Sequence, residues 1–133
     1  MSEGIQGSCM CGSVSYVASG EMRPICACHC TQCRKFSGHF TTSTSSAKKD
    51  LTVSNTNGTL SWYKTDSASW GFCNRCGSSL FFQPDDNSKR TSIFAGSIDG
   101  KTGLNLDSQM YCESKGDYYE LLDVETISMD DLD

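Results

Sequence analysis

The chain has 133 residues, the length of one domain, with 37% apolar and 20% charged residues and a formal net charge of −5. That acidity argues against non-specific binding to nucleic acid, whose affinity comes from neutralising phosphates with Lys and Arg. No stretch approaches the roughly 20 apolar residues of a membrane span. Residues 1–6 carry an acid and no apolar run, so the chain reads as a cytoplasmic protein without a leader, in a reducing compartment.

Nine cysteines stand out, because in such a compartment clustered cysteines are metal ligands more often than disulfides. Cys9-Met10-Cys11-Gly12 opens the chain and precedes the first strand signal, Ser13 to Val17. Ile25 to Lys35 is the densest segment, holding Cys26, Cys28, Cys30 and Cys33. Thr31 to Ser37 then reads as a short helix that ends at Gly38, a residue suited to the left-handed position after a helix. β-branched and aromatic runs at Phe40–Thr44, Thr52–Val53, Thr59–Tyr63, Ser69–Phe72, Ser79–Phe82 and Thr91–Phe94 predict further strands. Cys73-Asn74-Arg75-Cys76-Gly77 lies between two of them, as a zinc knuckle does. Gln109–Glu113 and Tyr119–Leu122 are the last strand candidates, and the acidic segment 128–133 is expected to fray. No 3.6-residue periodicity persists for ten residues, so the domain is predicted to be mainly β with one short helix.

Seven clustered cysteines divide into four plus three. Four thiolates close a tetrahedral zinc site and three leave one position open. Spacing alone leaves open which cluster pairs with which. In the middle segment Cys30 and Cys33 flank the start of the helix, whose exposed N–H groups favour thiolates, and Cys28 approaches from an extended segment. The candidates for closing such a site are His29, His39 and Cys26. In an extended segment His29 points away from its neighbours. Cys26 to Cys30 spans roughly 13 Å of strand, too far for one metal without a bend. An exogenous ligand is therefore the expected fourth group. A three-thiolate zinc is a weak Lewis acid, better suited to holding a sulfur than to making hydroxide. Arg34 and Lys35 are the candidate anchors for a substrate's carboxylates. Trp62, Trp70 and Tyr118 are candidate pocket aromatics, and Cys26 and Cys112 remain without a role.

These motifs resemble the glutathione-dependent formaldehyde-activating enzyme family, which includes the centromere protein V domain. The matching pieces are Gly7 to Tyr16, Cys28 to Gly38, Phe72 to Ser78 and Ala95 to Asp99, within a resemblance that runs from about Gly7 to Leu121. The resemblance implies an Mss4-like (β-tent) fold of several antiparallel sheets. It implies two zinc ions: a structural one on Cys9, Cys11, Cys73 and Cys76, and a second on Cys28, Cys30 and Cys33. It also implies a carbon–sulfur lyase that joins glutathione and formaldehyde reversibly as S-hydroxymethylglutathione, with a small thiol and a small aldehyde as partners. The chain departs from the family between Asp107 and Tyr119, where Gln109, Cys112 and Ser114-Lys115-Gly116-Asp117-Tyr118 replace a His, a Val and Ser-Lys-Ala-Pro-Trp. The competing expectation is a zinc-stabilised protein-binding module without catalysis, and a third is a redox or metal-handling role for the unassigned thiols.

Overall fold

Side chains alternate across a strand, so a sheet with apolar residues on both of its faces must be covered on both. That is the case here. The computed structural model describes residues 4–132. Its elements are β1 (Ile5–Ser8), β2 (Ser15–Ala18), β3 (Ile25–Cys28), α1 (Thr31–Ser37), β4 (Thr41–Ala47), β5 (Leu51–Ser54), β6 (Leu60–Lys64), β7 (Ala68–Cys73), β8 (Ser79–Pro84), β9 (Arg90–Phe94), β10 (Leu106–Met110) and β11 (Glu125–Thr126). A three-stranded sheet has the order β1-β2-β5, and an eight-stranded sheet the order β11-β10-β3-β4-β9-β8-β7-β6. The architecture is the mainly β, Mss4-like one with a single short helix, with one difference from expectation. The larger sheet is mixed, because β10 runs parallel to both β3 and β11.

Two apolar clusters lie on opposite faces of the large sheet. Phe81 and Ile93 point to one face and meet Val14, Tyr16 and Ala18 of the small sheet. Their chain neighbours Phe82 and Phe94 point to the other, where Trp70, Cys28, Cys33, Phe36 and Met110 gather under α1. The first cluster holds the sheets together, and Trp70, Phe82 and Phe94 of the second wall a cavity.

The helix is shaped by its cysteines. Cys30 is the N-cap, its sulfur accepting the Cys33 N–H at 3.3 Å. Gly38 ends the helix at φ 87° and donates its N–H to the Arg34 carbonyl, the left-handed cap expected at that position.

The segment after β10 differs from the sequence expectation. The strand stops at Met110, because Tyr111 adopts a left-handed backbone (φ 57°, ψ 43°) that turns the chain into a 3-10 turn, Cys112–Ser114. Tyr119–Leu122 is not a strand; its polar groups are taken by side chains. Tyr119 bonds His29, and Leu122 uses both its N–H and its carbonyl on Gln109. Nor is the acidic end a free tail among the described residues. Met129–Asp131 is a 3-10 turn with a Ser128–Asp131 capping box, and Ile127 and Leu132 pack on the second apolar cluster. No helix of the described residues is long and apolar enough to cross a membrane.

Phe81 is 1% exposed, with the Tyr16 and Trp62 rings 5.3 Å and 6.1 Å away, so it joins the two sheets. Phe81→Ala is expected to lower unfolding stability by about 3–5 kcal/mol in chemical denaturation. A loss below about 1 kcal/mol would contradict this placement of the core.

Candidate metal centres and the cavity beside them

The structure brings seven cysteines into two groups. Cys9, Cys11, Cys73 and Cys76 form one and Cys28, Cys30 and Cys33 the other, with the sulfurs of each group within 4.8 Å of one another. All nine cysteines are free thiols. Cys9 and Cys11 sulfurs are 3.6 Å apart, and those of Cys11 and Cys73 are 3.8 Å apart. Sulfurs at the corners of a tetrahedron around zinc, each about 2.3 Å from the ion, are about 3.8 Å from one another. The donor set therefore fits a metal of that kind.

Local backbone shapes build the first group. The Val14 N–H points at the Cys9 sulfur at 3.2 Å, and Gly77, at φ 82°, turns the chain so that its N–H reaches the Cys73 carbonyl. The Ser78 hydroxyl, 3.1 Å from the Cys76 sulfur, pulls that thiol down to about 5. The Thr59 hydroxyl lowers Cys73 in the same way. The Ser13 backbone N–H favours ionised Cys11, but burial and the neighbouring sulfurs outweigh it and hold the thiol up at about 11. Some of these thiols give up protons readily and others only to a cation.

The second group shows the same conflict more sharply. Cys28 ends β3, Cys30 caps α1 and Cys33 lies in its first turn. Hydrogen bonds from Cys28 and Cys33 stabilise the thiolate of Cys30 and push its pKa well down, while the Cys30 and Cys33 contacts push Cys28 up. Three sulfurs so close favour ionisation of one over the others, and a cation among them would release the remaining protons.

Among the described residues the group contains these three donors and no fourth. His29 is fully buried on the opposite side of the sheet, with Nδ1 2.7 Å from the Tyr119 hydroxyl and Nε2 3.1 Å from Gln109 Oε1. The Gln109 amide donates to the Leu122 and Val124 carbonyls, so its oxygen is the acceptor and His29 Nε2 carries the proton. Burial lowers the His29 pKa and keeps the ring neutral. His29 and Gln109 thus fasten the 119–124 segment. His39 is exposed and pairs with the Tyr118 hydroxyl at 2.9 Å. Cys26 is buried on β3, and its thiol is pushed up by burial. Cys112 sits on the surface turn with its sulfur 3.7 Å from the Thr126 hydroxyl.

The second group opens into a cavity of about 690 Å³ on the large sheet's face that carries Phe82 and Phe94. Cys28, Cys30 and Cys33 line one end. Thr41, Ser43 and Ser45 of β4 run along the floor, and Trp70, Phe82 and Phe94 form an apolar wall. The segment that carries the family departures touches the cavity through Met110, Tyr111 and Ser114, whereas the departing residues Gln109, Cys112, Gly116, Asp117 and Tyr118 do not line it. Burial and then the Cys28 and Cys30 charges push the Tyr111 phenol up, so it keeps its proton at neutral pH. The C-terminal turn also contributes, through Met129, Asp130 and Leu132.

Arg34 and Lys35 do not line this cavity. Arg34 Nε donates to the Ser114 carbonyl at 3.0 Å, bracing the turn that carries Tyr111, and Lys35 is exposed. The cavity's cations are Arg23 and Arg90. Sequence reasoning missed both because contacts with β4, not closeness in the chain to the cysteines, bring them there: Arg90 through the pairing of β9 with β4, Arg23 through Ser43. Of the expected aromatics Trp70 lines the cavity, while Trp62 and Tyr118 are exposed elsewhere.

The chain belongs to the glutathione-dependent formaldehyde-activating enzyme family, whose model matches residues 4–114. A Schizosaccharomyces pombe protein named as an uncharacterized lyase is 27% identical over 116 residues, which cover 86% of this chain and 83% of that protein. A crystal structure of a Rhodobacter sphaeroides protein shares the fold, with a TM-score of 0.56 and 23% identity over 72% of this chain and 89% of that one.

The first group joins residues 62 positions apart in sequence, whereas the second lies within six residues of one segment. Closing the longer loop restricts the unfolded chain more. Cys73→Ser is expected to lower the thermal midpoint of the metal-loaded protein by several degrees more than Cys30→Ser does. Equal losses would contradict a stapling role for the first group.

Proposed function

We propose that the protein is a zinc-dependent carbon–sulfur lyase that forms and cleaves the adduct of a glutathione-type thiol with a small aldehyde, such as S-hydroxymethylglutathione. The observation that carries this reading is the group of three thiols with no fourth donor among the described residues, opening directly into a cavity of ligand size. Family membership and the lyase-named relative support the reaction class. Two zinc ions per chain are proposed, one closed by Cys9, Cys11, Cys73 and Cys76, the other held by Cys28, Cys30 and Cys33. At the second site zinc would supply a Lewis acid that lowers a thiol's pKa and keeps its sulfur nucleophilic at neutral pH.

The chain's own groups do the rest. Cys28, Cys30 and Cys33 set the place where the substrate sulfur sits, at one end of the cavity. In the forward direction a carbon–sulfur bond forms as the aldehyde's C=O π pair moves to oxygen, and that oxygen takes a proton. Cleavage is the reverse. Tyr111 keeps its proton and borders the sulfurs, so it is the hydroxyl we assign to donate there. Phe82, Phe94 and Trp70 exclude water from one wall. Arg34 acts at one remove, by holding the Tyr111 turn through Ser114. The reduced thiols this chemistry needs fit a cytoplasmic protein.

The test is formaldehyde–glutathione exchange, measured by exchange NMR on zinc-loaded protein. Catalysed exchange is expected for the native protein, with a fall of at least about a hundredfold in Cys30→Ser, since the reacting sulfur loses its seat. Exchange at the uncatalysed rate with both sites loaded would overturn the enzyme reading and favour a binding module.

A further inference from the structure

The sulfurs of the second group are reached through the cavity, since Cys28 and Cys33 are buried and Cys30 is only partly exposed. Much of the cavity's wall is sheet: Thr41, Ser43 and Ser45 of β4, Phe82 of β8 and Phe94 of β9 are held by strand ladders. One wall is of a different kind. Met129, Asp130 and Leu132 come from the turn at 128–132, beyond the residues 4–114 that the family model matches. The charge of Asp130 bears on the Tyr111 phenol, as do those of Cys28 and Cys30, which puts this turn at the sulfur end.

The turn is held differently at its two ends. On the near side β11 pairs with β10 at Ser108 with Glu125 and Gln109 with Thr126, and the Ile127 N–H donates to the Gln109 carbonyl at 2.8 Å. Past Ile127 the hydrogen bonds among the described residues stay inside the turn. The Ser128 N–H and hydroxyl donate to the Asp131 carboxylate at 3.1 Å and 3.2 Å. The Asp131 N–H donates to the Ser128 carbonyl at 3.0 Å, and the Leu132 N–H to the Met129 carbonyl at 3.2 Å. Among the described residues the far end is fastened by Leu132, packed on the second apolar cluster. A piece with its own hydrogen bonds, fixed by backbone at one end and by an apolar contact at the other, opens as a unit, because lifting it breaks none of these bonds.

We propose that residues 128–132 are a lid on the sulfur end of the cavity, hinged at Ile127 and clasped by Leu132, which lifts to admit an occupant and settles back over it. The lid does not depend on the lyase reading, because it governs how the three thiols are reached, whatever they hold.

The lid is tested by pulse alkylation of the metal-loaded protein with N-ethylmaleimide, with the labelling of each cysteine read separately by proteolysis and mass spectrometry. Leu132→Ser removes the clasp and leaves the hydrogen bonds of the turn in place. Loss of a partly buried leucine's contact corresponds to about tenfold in the population of the open state. Labelling of Cys30 is therefore expected to speed up about tenfold in Leu132→Ser, and to stay near the native rate in Leu132→Met, which keeps an apolar clasp. The rates at Cys9, Cys11, Cys73 and Cys76 are expected to remain native, since that group does not line this cavity. An unchanged Cys30 rate in Leu132→Ser would overturn the lid. Equal acceleration at all seven cysteines would overturn it too, because that marks a loosening of the whole fold. Formaldehyde–glutathione exchange is measured separately, so a faster Cys30 without catalysed exchange would keep the lid and remove the lyase.

Discussion

Sulfurs packed within 4.8 Å of one another cannot all ionise unless a cation sits among them, and the organisation of this protein follows from that constraint. In the first group the four thiols tie the turn before β2 to the turn between β7 and β8, closing the small sheet onto the large one. In the second group the same repulsion is confined to one short segment. Cys30 ionises most readily, as the cap of α1 with two neighbouring sulfurs bonded to it, while the contacts with Cys30 push Cys28 up.

The large sheet links this electrostatic site to the cavity that it opens into. Its two faces carry different work. Phe81 and Ile93 build the joint between the sheets, while Phe82, Phe94 and Trp70, on the reverse face, wall the cavity. His29 serves the same division. Lying between two of the clustered cysteines in sequence, it points to the other side and fastens the 119–124 segment through Tyr119 and Gln109. One strand end therefore places sulfur on one face and an anchored loop on the other.

Much of this was legible in the sequence, for physical reasons. Metal-ligand spacing is local, so the three cysteine clusters stood out before any pairing was known. The strands of β4 to β9 betray themselves by β-branched and aromatic runs, and Gly38 by its place after a short helix. The parallel pairing of β10 with β3 left no local signal. Arg34 and Lys35 drew notice because they follow Cys33 in the chain, yet helix geometry turns Arg34 toward Ser114. Arg23 and Arg90 are separated by 67 positions in the chain; Arg90 is brought to the cavity by the pairing of β9 with β4, and Arg23, in the segment before β3, by its bonds to Ser43. The acidic end looked like a tail because its apolar residues are few, but Ile127 and Leu132 suffice to dock it.

The central claim is that the two cysteine groups hold one closed and one open metal. Zinc K-edge X-ray absorption on the fully loaded protein measures it directly. The account predicts a mean of about 3.5 sulfurs per zinc at about 2.3 Å, rising toward four when glutathione is added. A mean of four before any thiol is added, unchanged afterwards, would contradict it.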